Sequence, residues 1–172
     1  DVSLADATDI RIDTARNGTI DASALSGTST LELEGSGDLI VNSIVADIDG
    51  SAGDGLSGEL VVNTGAVTGE AAFIPMTITT GEGSTTVNGL DGEPGDTENI
   101  DIQVNATALA DNDDGTVLKL LGSAEYELVN NALADGTNKV QVDLSEAGVE
   151  NGPGEIKLTG QGEYDLIKTA TD

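Results

Sequence analysis

One short phrase recurs along the chain and confines it to folds built by stacking. Thr19-Ile20-Asp21-Ala22-Ser23-Ala24-Leu25 returns as Leu60-Val61-Val62-Asn63-Thr64-Gly65-Ala66 and as Gln103-Val104-Asn105-Ala106-Thr107-Ala108-Leu109. Its last copy is Val140-Gln141-Val142-Asp143-Leu144-Ser145-Glu146. The shared Asx position falls at Asp21, Asn63, Asn105 and Asp143, in steps of 42, 42 and 38 residues. A second block, Leu31-Glu32-Leu33-Glu34-Gly35-Ser36-Gly37, has counterparts at 77–83, 118–124 and 156–162. A third apolar stretch follows at 39–42, 85–88, 126–130 and 164–167. The order of strand, strand, Gly-x-Gly corner, strand and acidic loop is kept throughout, which predicts stacked supersecondary units.

Period-2 alternation marks these stretches as half-buried strands. Leu31 and Leu33 alternate with Glu32 and Glu34; Ile102 and Val104 alternate with Asp101 and Gln103. Helical periodicity is weak, and only 127–134 offers a turn of helix. The expected fold is all-β: a parallel β-helix-like solenoid of about four coils, each of ~40 residues and three strands. An antiparallel β-sandwich or jelly roll is the alternative. Asn-Gly or Asp-Gly pairs at Asn17, Asp49, Asp54, Asn88, Asp91, Asp114, Asp135 and Asn151 favour tight turns, and such turns commonly close hairpins. The chain reads as one domain, 1–172, with internal repeats at roughly 19–60, 61–101, 102–139 and 140–172.

Composition narrows the chemistry. A length of 172 residues suffices for a real core. Aromatic residues make up only 2% (Phe73, Tyr126 and Tyr164), so the interior must be built from Val, Leu, Ile, Ala and Thr. That suits a narrow β interior. The balance of 32 acidic against 6 basic residues gives a formal net charge of -26, which repels nucleic acid and anionic membranes. The surface also repels itself, so it calls for counter-ions or a saline medium. With no histidine and no cysteine, thiol nucleophiles, imidazole bases, disulfides and the usual zinc, copper or haem ligands are all missing. No segment approaches the roughly 20 apolar residues of a membrane-spanning helix. The opening on Asp1, with no signal peptide, reads as a processed mature product or a piece of something longer.

Acidic loops are the candidate sites. One holds Asp47, Asp49 and Asp54; a second holds Asp91, Glu93, Asp96, Glu98 and Asp101. A third is the run Asp111-Asn112-Asp113-Asp114-Gly115. Closely spaced carboxylates with Gly offer a hard cation several oxygens at about 2.3–2.6 Å, so Ca2+ is the expected cofactor. The run at Asp111 opens like an EF-hand loop but lacks its distal Glu, and solvated loop tips are the competing reading for all three. Carboxylate pairs serve glycosidases. Here the only bases, Arg11, Arg16, Lys119, Lys139, Lys157 and Lys168, are scattered, and no aromatic platform exists for a sugar. Lys119 and Lys157 occupy outward positions of equivalent strands. The chain is therefore expected to be no enzyme, with no catalytic residues. The sequons at Asn17 and Asn105 carry N-glycan acceptor patterns. Asn105 also sits at the shared Asx position, where a structural corner or ladder is expected. Asn63, Asn42, Asn88 and Asn130 invite the same reading, as side chains stacked in register between coils.

The run Ile20-Asp21-Ala22-Ser23-Ala24-Leu25, followed by Leu-x-Leu-x-Gly-Ser-Gly and a Val-Asn strand end, resembles degenerate repeats of large secreted bacterial surface proteins. These are the type I-secreted calcium-dependent adhesins and S-layer proteins. The resemblance implies an extracellular location, a β-rich repeat fold and calcium-assisted folding or lattice assembly; the calcium nonapeptide of those families is absent. The resulting expectation is a non-enzymatic, extracellular structural protein that assembles with copies of itself into a surface layer, matrix or filament. An adhesin-type module that recognises a polysaccharide or cell surface is the alternative.

Overall fold

A computed structural model describes residues 2–3, 9–67, 75–92, 100–110, 115–133, 139–147 and 152–167. Consecutive strands alternate between two sheets, A and B. The chain begins with β1 (Val2–Ser3, A), β2 (Asp9–Asp13, B), β3 (Gly18–Asp21, A), β4 (Thr30–Glu34, B) and β5 (Leu39–Ile44, A). It continues with β6 (Asp47–Asp49, B), β7 (Leu60–Val67, A), β8 (Met76–Thr79, B), β9 (Thr85–Asp91, A) and β10 (Ile102–Asn105, B). One helical turn, α1 (Thr107–Ala110), leads to β11 (Val117–Gly122, A) and β12 (Tyr126–Asn130, B). The last strands are β13 (Lys139–Asp143, A), β14 (Ile156–Gly160, B) and β15 (Glu163–Ile167, A). Among the described residues sheet A has eight strands and sheet B seven, each stacked in chain order.

Every described strand pair is parallel, so the chain is a β-solenoid and the antiparallel sandwich is excluded. Among the described residues the Asx-Gly pairs close no hairpins: Asn17-Gly18 leads into β3, Asp49-Gly50 leads out of β6, and Asn88-Gly89 lies inside β9. Residues 126–130 extend as β12 instead of making a turn of helix.

The coil itself differs from expectation, with two strands where three were expected. In the early coils the register advances by 21 residues, from Gly18 to Leu39 and from Leu39 to Leu60. The 42-residue step of the recurring phrase from Asp21 to Asn63 therefore spans two coils, whereas the equal step from Asn63 to Asn105 covers one and a half. Its copies at Asp21, Asn63 and Asp143 lie on sheet A, but the copy at Asn105 lies on sheet B. What recurs in the sequence is largely the way a strand ends. Asp21, Asp49, Asn105, Asn130 and Asp143 each close a strand, and each side chain accepts the backbone N–H two residues further on. Such Asx turns release the chain from the ladder at either side of the coil.

Alternation turns one face of the strands from β3 to β13 inward, and in-register stacking lines these faces into largely apolar rows. On sheet B one row runs Ile10, Leu31, Ile48, Ile78, Val104, Leu128, Leu158. On sheet A another runs Leu39, Leu60, Thr85, Leu118, Val142, Leu166. The core is Val, Leu, Ile and Ala, as the scarcity of aromatics demands, with Tyr126 its one fully buried ring among the described residues. The Tyr126 hydroxyl donates to the Leu121 carbonyl at 2.6 Å and accepts the Gly89 N–H at 2.8 Å. Tyr164 repeats the device: its hydroxyl donates to the Thr159 carbonyl at 2.8 Å, again five residues back across a glycine corner.

The glycine corner has a steric cause. Between sheets B and A, Gly37, Gly58 and Gly83 stack in successive coils. A Cβ on Gly58 would strike the Gly37 carbonyl, and one on Gly83 would strike that of Gly58. Gly83→Ala is therefore expected to destabilise the fold by about 1–3 kcal/mol. Gly18→Ala, whose Cβ would meet nothing closer than 3.9 Å, should stay within about 0.5 kcal/mol of the parent. Tyr126→Phe strands a buried N–H and should cost about 1–3 kcal/mol. Urea unfolding at constant m-value checks all three.

Candidate functional site

Three of the expected ligands are placed and committed to the backbone or to a turn. The Asp47 carboxylate, at the start of β6, accepts the Thr77 N–H of the next coil at 2.7 Å. Asp49 ends the same strand and accepts both the N–H and the hydroxyl of Ser51, at 2.9 and 2.7 Å. Asp54 lies in an exposed turn beside the Arg11–Glu34 ion pair, on the rim of a shallow pocket of about 250 Å³ that also includes Asp13, Gly35 and Gly53. The structure does not bring these three together. Glu93, Asp96, Asp111, Asp113 and Asp114 lie outside the described residues, as does Glu98.

Asp91 does join a cluster, with partners from neighbouring coils. Asp91 closes β9, Asp101 precedes β10 and Glu125 precedes β12. Ile102 pairs in register with Tyr126, so Asp101 and Glu125 occupy the same place in successive coils. They hold each other through the backbone. The Asp101 N–H donates to the Glu125 carbonyl at 3.1 Å, and the Glu125 N–H donates to the Asp101 carboxylate at 3.1 Å. Asp101 is 3% exposed and Glu125 4%, while Asp91 is half-buried and its N–H donates to the Ser123 hydroxyl at 3.2 Å. One carboxylate oxygen from each residue lies within 4.8 Å of the others.

Three carboxylates packed this closely cannot all stay charged away from water without compensation. Burial, then the hydrogen bond and charge of Asp101, then the charge of Asp91, push Glu125 up to about 7. The cluster can therefore take a proton. Its three oxygens also make up about half the six to eight that calcium requires. Asp91 and Asp101 were legible as one acidic loop. Glu125 was not, because its equivalence to Asp101 appears only once the coil is known to have two strands.

Elsewhere the outer faces carry in-register pairs. Lys119 meets Asp143 at 3.7 Å, Lys139 meets Glu163 at 3.3 Å and Lys157 meets Glu127 at 3.2 Å, each pair directly opposite across adjacent coils. Lys119 and Lys157 do face solvent, as their alternation predicts, and exposed pairs of this kind contribute about 0–1 kcal/mol each. Asn42, Asn63 and Asn88 form a ladder of the expected kind on sheet A, but in a different grouping: the repeat sets Asn63 with Asn105, and Asn42 with Asn88 and Asn130. Asn63 donates to Asn42 at 2.8 Å, and Asn88 donates to Asn63 at 3.3 Å. Asn105 stands apart from it on sheet B, accepting the Thr107 hydroxyl at 2.7 Å. Asn130 is buried and donates to the Glu163 carbonyl at 2.9 Å. The other sequon asparagine, Asn17, donates to the Asp38 carboxylate at 2.8 Å.

Proton uptake has a definite sign here. Native Glu125 titrates near 7, whereas an unfolded Glu titrates at about 4.3, so the native state binds more protons across that window. Stability falls as pH rises through it. Four other carboxylates act in the opposite sense at lower pH. The Ser23 hydroxyl lowers Asp21, Arg11 lowers Glu34, Gln103 with Lys157 lowers Glu127, and the Ser145 N–H lowers Asp143. Their stabilisation is present above the unfolded carboxylate range and is lost in strong acid. The melting midpoint should therefore peak near pH ~5 and decline toward pH ~8. Glu125→Gln, which keeps an N–H donor for Asp101, should match the parent at pH ~5 and exceed it at pH ~8. Thermal melts at both values check this, and an equal decline in both proteins would remove Glu125 as the cause.

No helix among the described residues is long and apolar enough to cross a membrane. A scan against protein-family models finds no match for the chain, and searches of curated proteins and of solved structures likewise find none.

Proposed function

We propose that this chain is a non-enzymatic, extracellular structural protein that assembles with copies of itself into a filament, matrix or surface layer. One observation carries the reading: the inward-facing rows become exposed at β14 and β15, the outermost strands among the described residues. Leu128 is fully buried, yet Leu158, the next residue of its row, is 40% exposed. Val142 is fully buried, yet Leu166 beside it is 49% exposed. A parallel sheet edge with unsatisfied backbone groups and apolar side chains is a template for another strand. A stack that grows by the same step at each end does not close, so it extends.

The resemblance to secreted surface-protein repeats supports the extracellular setting. So does the charge of -26, which suits a saline medium better than contact with nucleic acid. Divalent cations, calcium above all, assist by offsetting repulsion between copies and by occupying the Asp91, Asp101 and Glu125 carboxylates in place of a proton.

Light scattering of the full chain at about 0.5 M salt, where the Debye length is only a few ångströms, tests the assembly. The expected result is a mass that grows with protein concentration, faster with millimolar calcium than with chelator. A monomer's mass at every concentration, with and without calcium, would sink the reading. The calcium component is read separately at pH ~8. Calcium should raise the melting midpoint of the parent and leave Glu125→Gln unmoved, because binding to the native state alone shifts the midpoint.

A further inference from the structure

Two copies of so acidic a chain approach most easily where neither presents charge, and one face of the coil meets that condition. We infer that the outer face of sheet A over β5, β7 and β9 packs on the same face of a second copy, related by a two-fold axis along β7, given that the chain self-associates as proposed above.

Stacking in register builds the face. Ile40, Val61 and Thr86 form one outward row, and the Asn42–Asn63–Asn88 ladder forms the next. None of these six side chains is ionisable, in a chain of net charge -26. The outer face of sheet B in the neighbouring half-coils is acidic. There Glu32, Glu34, Asp47 and Asp49 alternate with the buried Leu31, Leu33 and Ile48. On sheet A, by contrast, Ile40 is 41% exposed and Leu90, further along β9, is 52% exposed. Both lie on interior strands of their sheet, so each has a hydrogen-bonded neighbour on either side and still faces outward.

The flanking strands select a second copy as the occupant. On β3 the asparagine row continues into the exposed Asp21. On β11 the other row continues into Lys119, whose side chain is 37% exposed. β3 and β11 lie two strands to either side of β7. A two-fold axis along β7 reverses the strand order in the facing copy, so β3 of each copy lies over β11 of the other. Asp21 and Lys119 then come together twice, an acid from one copy and a base from the other each time. Between them ladder lies over ladder. An amide has two N–H donors and two acceptor lone pairs, and the ladder uses one of each at Asn63, which leaves one of each for the facing copy.

The contact is small. Five strands at about 4.8 Å and five residues at about 3.3 Å span about 400 Å² per copy, half of a standard interface. A single pair is therefore weak, and repetition along a filament strengthens it. The exposed Glu59, at the corner before β7, faces its own copy across the axis, so salt or a divalent cation favours the pair.

Sedimentation equilibrium of the full chain, up to about 1 mM protein at about 0.5 M salt, reads the pairing. Ile40→Glu, at an unchanged melting midpoint, should weaken association roughly tenfold or more. Thr79→Glu adds the same charge to the outer face of sheet B and should leave association within about twofold of the parent. Asp21→Lys and Lys119→Glu should each weaken it, and the double variant, which exchanges the two charges, should recover it to within about threefold. Equal weakening by Ile40→Glu and Thr79→Glu, or no recovery in the double variant, overturns the face. If the mass of Ile40→Glu grows with concentration as the parent's does, assembly stands and this face falls. A mass that levels off at two copies keeps the face and removes growth at the ends. A parent that stays monomeric removes both.

Discussion

The parallel backbone ladder is the constraint on which everything else in this molecule depends. Each strand hydrogen-bonds to the one a full coil away, at a spacing of about 4.8 Å. Whatever side chain occupies one position is therefore laid beside its counterpart in the next coil. Leucines fall on isoleucines to make the core rows, and Asn63 falls between Asn42 and Asn88 to make a hydrogen-bonded ladder. Backbone falls on backbone at the corner, where Gly37, Gly58 and Gly83 leave no room for a Cβ. The thin interior that results needs few aromatic rings, and the one fully buried ring among the described residues serves its hydroxyl as much as its face.

The same ladder multiplies charge. In a chain with 32 acidic residues, stacking in register brings carboxylates near carboxylates. The structure relieves this in three ways. Lysines oppose acids directly at Lys119, Lys139 and Lys157. Asx turns give Asp21, Asp49 and Asp143 a backbone N–H of their own. Where Asp101, Glu125 and Asp91 meet, burial and crowding hold a proton on Glu125 up to about 7. No Lys or Arg lies between Arg16 and Lys119, so the central coils rely mainly on the second and third devices.

Much of this was legible in residues read one strand at a time. Every stretch in the three recurring blocks contains strand residues, the core is aromatic-poor as expected, and the stacked asparagines were legible as a device, although not in the grouping Asn42–Asn63–Asn88. β6 was missed because it is three residues long, with Asp47 and Asp49 flanking a single buried Ile48, and so looks like an acidic loop. The grouping into three-strand coils failed for a related reason. Asx turns close strands on both sheets, so a phrase that ends in one recurs without marking a full circuit. The candidate site suffered from the same error. Asp91 and Asp101 share a loop, but Glu125 reaches them only through the register of β10 with β12.

The sequence by itself determined which residues extend, which face each strand buries, where strands stop and how acidic the outer surface is. Each of these is set within a few residues, by side-chain alternation and by hydrogen bonds two positions along the chain. The tertiary structure alone decided that a coil has two strands, that Asn105 lies across the core from Asn63, and that Glu125 sits against Asp101. Those facts depend on backbone bonds between residues a whole coil apart. Corner lengths vary between coils, so no fixed spacing in the sequence predicts the partners.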